Sequence, residues 1–191
     1  SKCTGGYYID EATGISTSAP DLRAGMIYSG TGNVILVPSP LSEIAYQLAG
    51  TNLASTIAAK NAEVATAFGL NSVDIISTIP TDINTTKAEN DDAGKFATVL
   101  AAISQMDKNS GDANPTVTIN ALIADMRDSG TIEGRLTGTK ATGTEVDITK
   151  AIRNFATNSG ANKDVGTGTG AANIDLSTGE GSVIGDLAIA F

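Results

Sequence analysis

The chain has no histidine and no tryptophan. The missing imidazole removes the Ser-His-Asp triad, the Cys-His dyad and His-ligated zinc together. The single cysteine, Cys3, has no partner for a bridge within the chain. It also lacks a basic neighbour in sequence, so it is expected to pack as a small hydrophobe. Four Tyr and four Phe provide few stacking platforms for bases or sugars, and no basic stripe accompanies them. The balance of 21 Asp plus Glu against 12 Lys plus Arg gives a net charge of −9. Such a surface repels phosphate backbones and anionic bilayers, so nucleic acid is excluded as an expected partner. No run of about 18 apolar residues occurs, and membrane insertion is not expected.

What is present suits one domain spanning residues 1–191, since 191 residues can bury roughly 70% of their extended surface. Abundant Gly, Thr, Asn and Asp with little Cys or Lys is the usual composition of secreted bacterial modules. Ser1 stands where an initiator Met would, and Ser182 to Phe191 forms an apolar run at the other end. The expectation is an extracellular, monomeric module excised from a longer surface protein.

Residues 1–37 read as extended, with turns at Gly5-Gly6 and Gly30-Thr31-Gly32. The second turn separates Met26-Ile27-Tyr28 from Val34-Ile35-Leu36-Val37, a hairpin pattern. Pro40 suits a first helical position. Leu41, Ile44, Ala45 and Leu48 then follow at i, i+3, i+4, i+7 as far as Gly50. A second helix runs from an Asn52 cap through Leu53, Ile57, Val64 and Phe68 to Gly69. After a connection over 70–87, Phe96, Val99, Leu100, Ile103 and Met106 mark a third, with Glu89, Asp91 and Asp92 at its positive end. Asn114 and Pro115 open a fourth through Ile119, Leu122, Ile123 and Met126 to Gly130. A fifth begins at Thr144, carries Ile148, Ile152 and Phe155 inward, and ends at Gly160. Short extended pieces follow at 173–176 and 182–191. The predicted fold is α+β, with about five helices in the middle flanked by short strands from both termini.

Asp107, Asn109 and Asp112 place oxygen ligands around Gly111 in a way that can wrap a hard cation such as Ca²⁺. The spacing is not that of an EF-hand: the glycine comes one position early, and Thr118 stands where a bidentate Glu belongs. The plain alternative is a turn after one helix followed by an Asn cap on the next. Asp10 and Glu11 are second-choice ligands, with an exposed turn as their alternative. Asp91-Asp92 reads as helix-start electrostatics. Gly166, Gly168 and Gly170 lack the strand before and the helix after that a dinucleotide loop requires. They form either a tight turn or a set of backbone N–H groups able to capture a peptide carboxylate or add a strand. No carboxylate pair stands out for glycan hydrolysis, and the chain is expected not to be an enzyme.

The segments CTGGYYIDEATG (3–14), APDLRAG (19–25) and VPSPLSEIAYQLAG (37–50) lead to NAEVATAFGL (61–70) and an Ile-Ser-Thr-x-Pro connection (76–80). Together they resemble helix-rich modules of giant RTX-type bacterial surface adhesins. The nearest likeness is to the peptide-binding domain of ice-binding and haemagglutinin-type adhesins, and it covers roughly the first 130 residues by pattern. The resemblance implies a calcium-dependent module that grips a peptide or protein C-terminus on another cell's surface, in cell adhesion or biofilm attachment, without catalysis. The competing expectation is a spacer in a fibrillar surface protein with no ligand site.

Overall fold

The computed structural model describes residues 1–111, 114–130, 132, 151, 152, 154 and 155. Over these the fold is α+β: four helices and two short antiparallel strand pairs near the N-terminus.

The first part of the chain is a ribbon. β1 (Lys2–Cys3) pairs with β4 (Leu22–Arg23), and β2 (Tyr7–Ile9) pairs with β3 (Ser16–Ser18) in the register Tyr8↔Thr17. Gly5 and Gly6 separate the two pairs in a left-handed backbone conformation that other residues rarely adopt, with φ of 70° and 98°. The side-chain alternation of a strand sends Tyr7 and Ile9 to solvent and Tyr8 inward. Cys3 is exposed on β1, so the expectation that it packs as a small hydrophobe is corrected. Its strand and the paired β4 are only two residues long, and it is the opposite residue Leu22 that packs on the core.

The hairpin expected over 26–37 is absent. Gly30 and Gly32 do turn with positive φ, but Met26, Ile27, Tyr28, Val34 and Ile35 lie exposed and unpaired as strands. These runs lack the in/out alternation that fixes a ladder register. The Val37 N–H instead donates to the Ile76 carbonyl at 2.8 Å.

The helices begin where their caps dictate. In α1 (Pro40–Ala49), Ser39 and Ser42 form a reciprocal capping box, and Pro40 occupies the first turn. Leu41, Ile44 and Ala45 are fully buried, and Gly50 ends the helix at φ 61°. α2 (Leu53–Ala67) folds back on α1. Asn52 sits at its start, yet its side chain makes no cap bond; the Ser55 and Thr56 hydroxyls bond to its carbonyl instead.

α3 (Asp92–Ser110) is capped by Asp91, whose side chain accepts from the Gly94 N–H at 2.8 Å. A Cβ on Gly94 would stand 1.9 Å from the Glu89 carbonyl oxygen, so only glycine fits there. α4 (Pro115–Ser129) starts from Asn114, which accepts from the Thr116 N–H, and packs on α1 and α3. One core joins Leu41, Ile44, Val64, Phe68, Phe96, Val99, Met106, Leu122 and Met126. Ala151, Ile152 and Phe155 are helical and buried in the same core; the rest of the expected fifth helix and the C-terminal strands lie outside the described residues.

A bidentate ion pair clamps the ribbon to this core. Arg23 on β4 pairs through its guanidinium with Glu43 on α1, and the Arg23 N–H donates to the same carboxylate at 2.8 Å. Gln47 adds a bond at 3.0 Å, and the Arg23 guanidinium lies 4.5 Å from the Tyr46 ring centroid. Glu43 holds the guanidinium above its ordinary pKa.

Candidate functional site

Between the ribbon and α3 lies a partly open cavity of about 190 Å³. All five prolines of the chain line it: Pro20 beside the ribbon, Pro38 and Pro40 before α1, Pro80 in the connection, and Pro115 at the start of α4. A proline ring offers carbon surface and no N–H donor, so these walls are apolar. Leu22, Val37, Leu100 and Ile103 complete them. The polar groups reaching the cavity are few: Tyr8, Glu11, Ser39, Ser104 and Asp107.

The ribbon supplies Tyr8 and Glu11, and α3 supplies Ser104 and Asp107. On α3, Leu100, Ile103, Ser104 and Asp107 follow at i, i+3, i+4, i+7 and therefore share one face. Asp10 closes the turn beyond β2: its Oδ1 accepts from the Thr13 N–H at 2.8 Å and the Thr13 hydroxyl at 2.7 Å. That turn places Glu11 against α3, where the Ser104 hydroxyl donates to Glu11 Oε2 at 2.6 Å. Lys108 fixes the same turn by donating to the Ala12 carbonyl at 2.8 Å.

Three carboxylates from two distant parts of the sequence thus surround Tyr8. Burial, followed by the charges of Asp10, Glu11 and Asp107, pushes the Tyr8 hydroxyl well above the usual phenol range and keeps it neutral. Burial is also the main influence on Glu11, raising its pKa. The Ser104 hydrogen bond opposes this, whereas Asp10 and Asp82 add repulsion of like sign. Glu11 takes part in none of the ion pairs between described residues.

Sequence spacing named Asp107, Asn109 and Asp112 as one ligand loop, but α3 continues through Ser110. Asp107 and Asn109 are then separated by about 200° around the helix and face opposite ways. Asp107 is buried and accepts from the Thr118 hydroxyl. Asn109 is exposed and accepts from Gln105 at 2.9 Å. Asp112, Gly166, Gly168 and Gly170 lie outside the described residues. The exposed turn considered for Asp10 and Glu11 is a turn, but Asp10 is buried and Glu11 half-buried.

Calcium takes six to eight oxygens. Among the described residues, no group of three or more carboxylate or thiol side chains is placed to hold an ion. One oxygen each of Asp10, Asp107 and Asn109 accepts a hydrogen bond from Thr13, Thr118 and Gln105.

Tyr8, Ser104 and the proline walls were not singled out from sequence. A legible sign existed for Ser104 and Asp107, two polar residues on the apolar stripe of α3. The prolines had none, since only the fold brings them together. No family model, curated protein or solved structure matches the chain.

Proposed function

We propose that the chain is a binding module of a bacterial cell-surface adhesin, one that seats a short peptide segment of a protein on another cell in the proline-walled cavity. The observation that carries this reading is the composition of the cavity: apolar walls with a handful of convergent polar groups, the pattern by which proteins hold ligands in a fixed orientation. At about 190 Å³ it falls below the roughly 300–1,000 Å³ of small-molecule sites, which favours one inserted side chain over a whole ligand. The resemblance of the first 130 or so residues to adhesin peptide-binding modules supports the same reading. Chemistry on the bound segment is not part of it.

Calcium enters the proposal as a stabiliser of the acidic loops, with Asp112 as its preferred ligand, since Asp107 and Asn109 face opposite sides of α3 and do not share an ion. It is tested by itself. Calorimetric titration with CaCl₂ should show heat that Asp112→Ala abolishes; an isotherm unchanged in the variant removes Asp112 as a ligand, and no binding heat in the wild type removes calcium.

Binding is tested with a fluorescent peptide array, probed in calcium and in chelator, with free and amidated C-termini. Selective capture by the wild-type chain that Leu100→Trp abolishes by filling the cavity, with its melting temperature retained, is the expected result. Capture of no peptide in either buffer favours the spacer reading.

A further inference from the structure

We infer that the cavity receives the side chain of a lysine from the partner polypeptide, its aliphatic stem against the prolines and its ammonium on Glu11. This rests on the peptide-binding reading and specifies the chemistry of the inserted group.

Charge complementarity carries the inference. Glu11 is a half-buried carboxylate opening on an apolar cavity, with the Ser104 hydroxyl on Oε2 at 2.6 Å. It joins no ion pair between described residues: Asp10 and Asp82 repel it, and the neighbouring Lys108 ammonium is engaged by the Ala12 carbonyl without pairing with it. Ionising a carboxylate so placed costs stability that an arriving cation offsets. The Tyr8 hydroxyl, held neutral beside it, is able to accept a hydrogen bond from that cation.

The shape of the site selects among cations. A hydrated metal ion gains nothing from aliphatic walls and needs several more oxygens than are gathered here. A guanidinium is a rigid planar fork best matched by a carboxylate whose two oxygens both face it, as Glu43 faces Arg23. At Glu11 the acceptors are a carboxylate and the single phenol oxygen of Tyr8. A primary ammonium is compact, needs only one carboxylate oxygen plus neighbouring acceptors, and carries a flexible apolar stem. The remaining feature, a side-chain-sized volume, fits a four-carbon stem.

The test uses the ¹⁵N-labelled 191-residue chain at about 0.15 M salt, where attraction to distant surface charge is screened. Amide shifts are followed with n-pentylammonium, 1-pentanol and ammonium chloride, and then with Ac-Ala-Ala-Lys-Ala-Ala-NH₂ and its acetyl-lysine counterpart. Saturable shifts at Glu11, Ala19 and Ser104 are expected with n-pentylammonium. 1-Pentanol should bind at least about tenfold more weakly, a difference that Glu11→Gln removes. Gln preserves the acceptor for Ser104, and a cooperative melting transition no lower than that of the wild type confirms folding. Equal binding of 1-pentanol, equal shifts with ammonium chloride, or unaltered discrimination in Glu11→Gln would overturn the inference. Peptides that bind regardless of lysine acetylation overturn it while leaving the peptide reading intact. An alkylammonium that behaves as expected while no lysyl peptide binds upholds the cation site and overturns the peptide reading.

Discussion

The N-terminal ribbon and the helical body are held by different forces. In the body, Phe68, Phe96, Leu122 and Met126 are buried in a shared apolar core, so each helix is stabilised by area removed from water. In the ribbon the strands are two or three residues long and Tyr7 and Ile9 face solvent. Leu22 and the adjoining Ala24 pack on the core, and named polar bonds add to them: Arg23 to Glu43, Ser104 to Glu11, Lys108 to Ala12. The cavity lies on the seam between the two. A site with half its groups on each region depends on the weaker region's attachment.

The comparison is broken most directly in the body. Phe96→Ala removes a fully buried ring and should cost about 3–5 kcal/mol in urea denaturation. The ribbon counterpart, Tyr7→Ala at a position 78% exposed, should change stability by less than about 0.5 kcal/mol. Similar losses for the two would mean the ribbon is part of the core.

Glu43→Ala is next in size. It leaves the Arg23 guanidinium without its carboxylate, and about 2 kcal/mol is expected, below the roughly 3–5 of a fully buried pair. The reduction follows from the Arg23 side chain being 32% exposed. Hydrogen exchange should quicken at Arg23 and Ala24 before it does in α3, because the ribbon would detach locally while the helices stay formed. Uniform acceleration across both regions would refute the clamp.

Glu11→Gln gives the smallest effect and sharpens the comparison most. The folded state holds the Glu11 proton more tightly than the unfolded chain, for which the ordinary value is 4.5. The unfolded state therefore loses that proton first as pH rises. Wild-type stability falls from about pH 4.5 upward until the folded carboxyl has ionised. Gln cannot ionise, so its advantage in melting temperature should be absent near pH 4 and grow toward neutrality. If the variant gains stability while losing the alkylammonium, the carboxylate serves binding at the fold's expense. A constant difference across the pH range would remove burial of Glu11 as its cause.

The helices were legible because their signals are local. Ser39-Pro40, Asp91, and Asn114-Pro115 announce starts, Gly50, Gly111 and Gly130 occupy left-handed or turning ends, and 3.6-residue spacing links them. The ribbon was read only as extended, since its partners are set by register over about 20 residues rather than by neighbours. Asp107 shows the same limit from the other side. Its Asp-x-Asn-x-Gly context resembles a loop, yet the apolar stripe through Met106 carries the helix on to Ser110. Asp10 and Glu11 were read as second-choice cation ligands or an exposed turn, and their meeting with Asp107 around Tyr8 is a tertiary fact.

The proline walls bear on how fast a guest could come and go. Each ring fixes one backbone torsion at five separate points around the opening, so little of that lining has freedom left to surrender when the space is filled. Occupancy should therefore be governed by collision and escape, without a slow rearrangement in between. Weak guests should exchange quickly, which is a useful property in a contact that must form many times before it lasts.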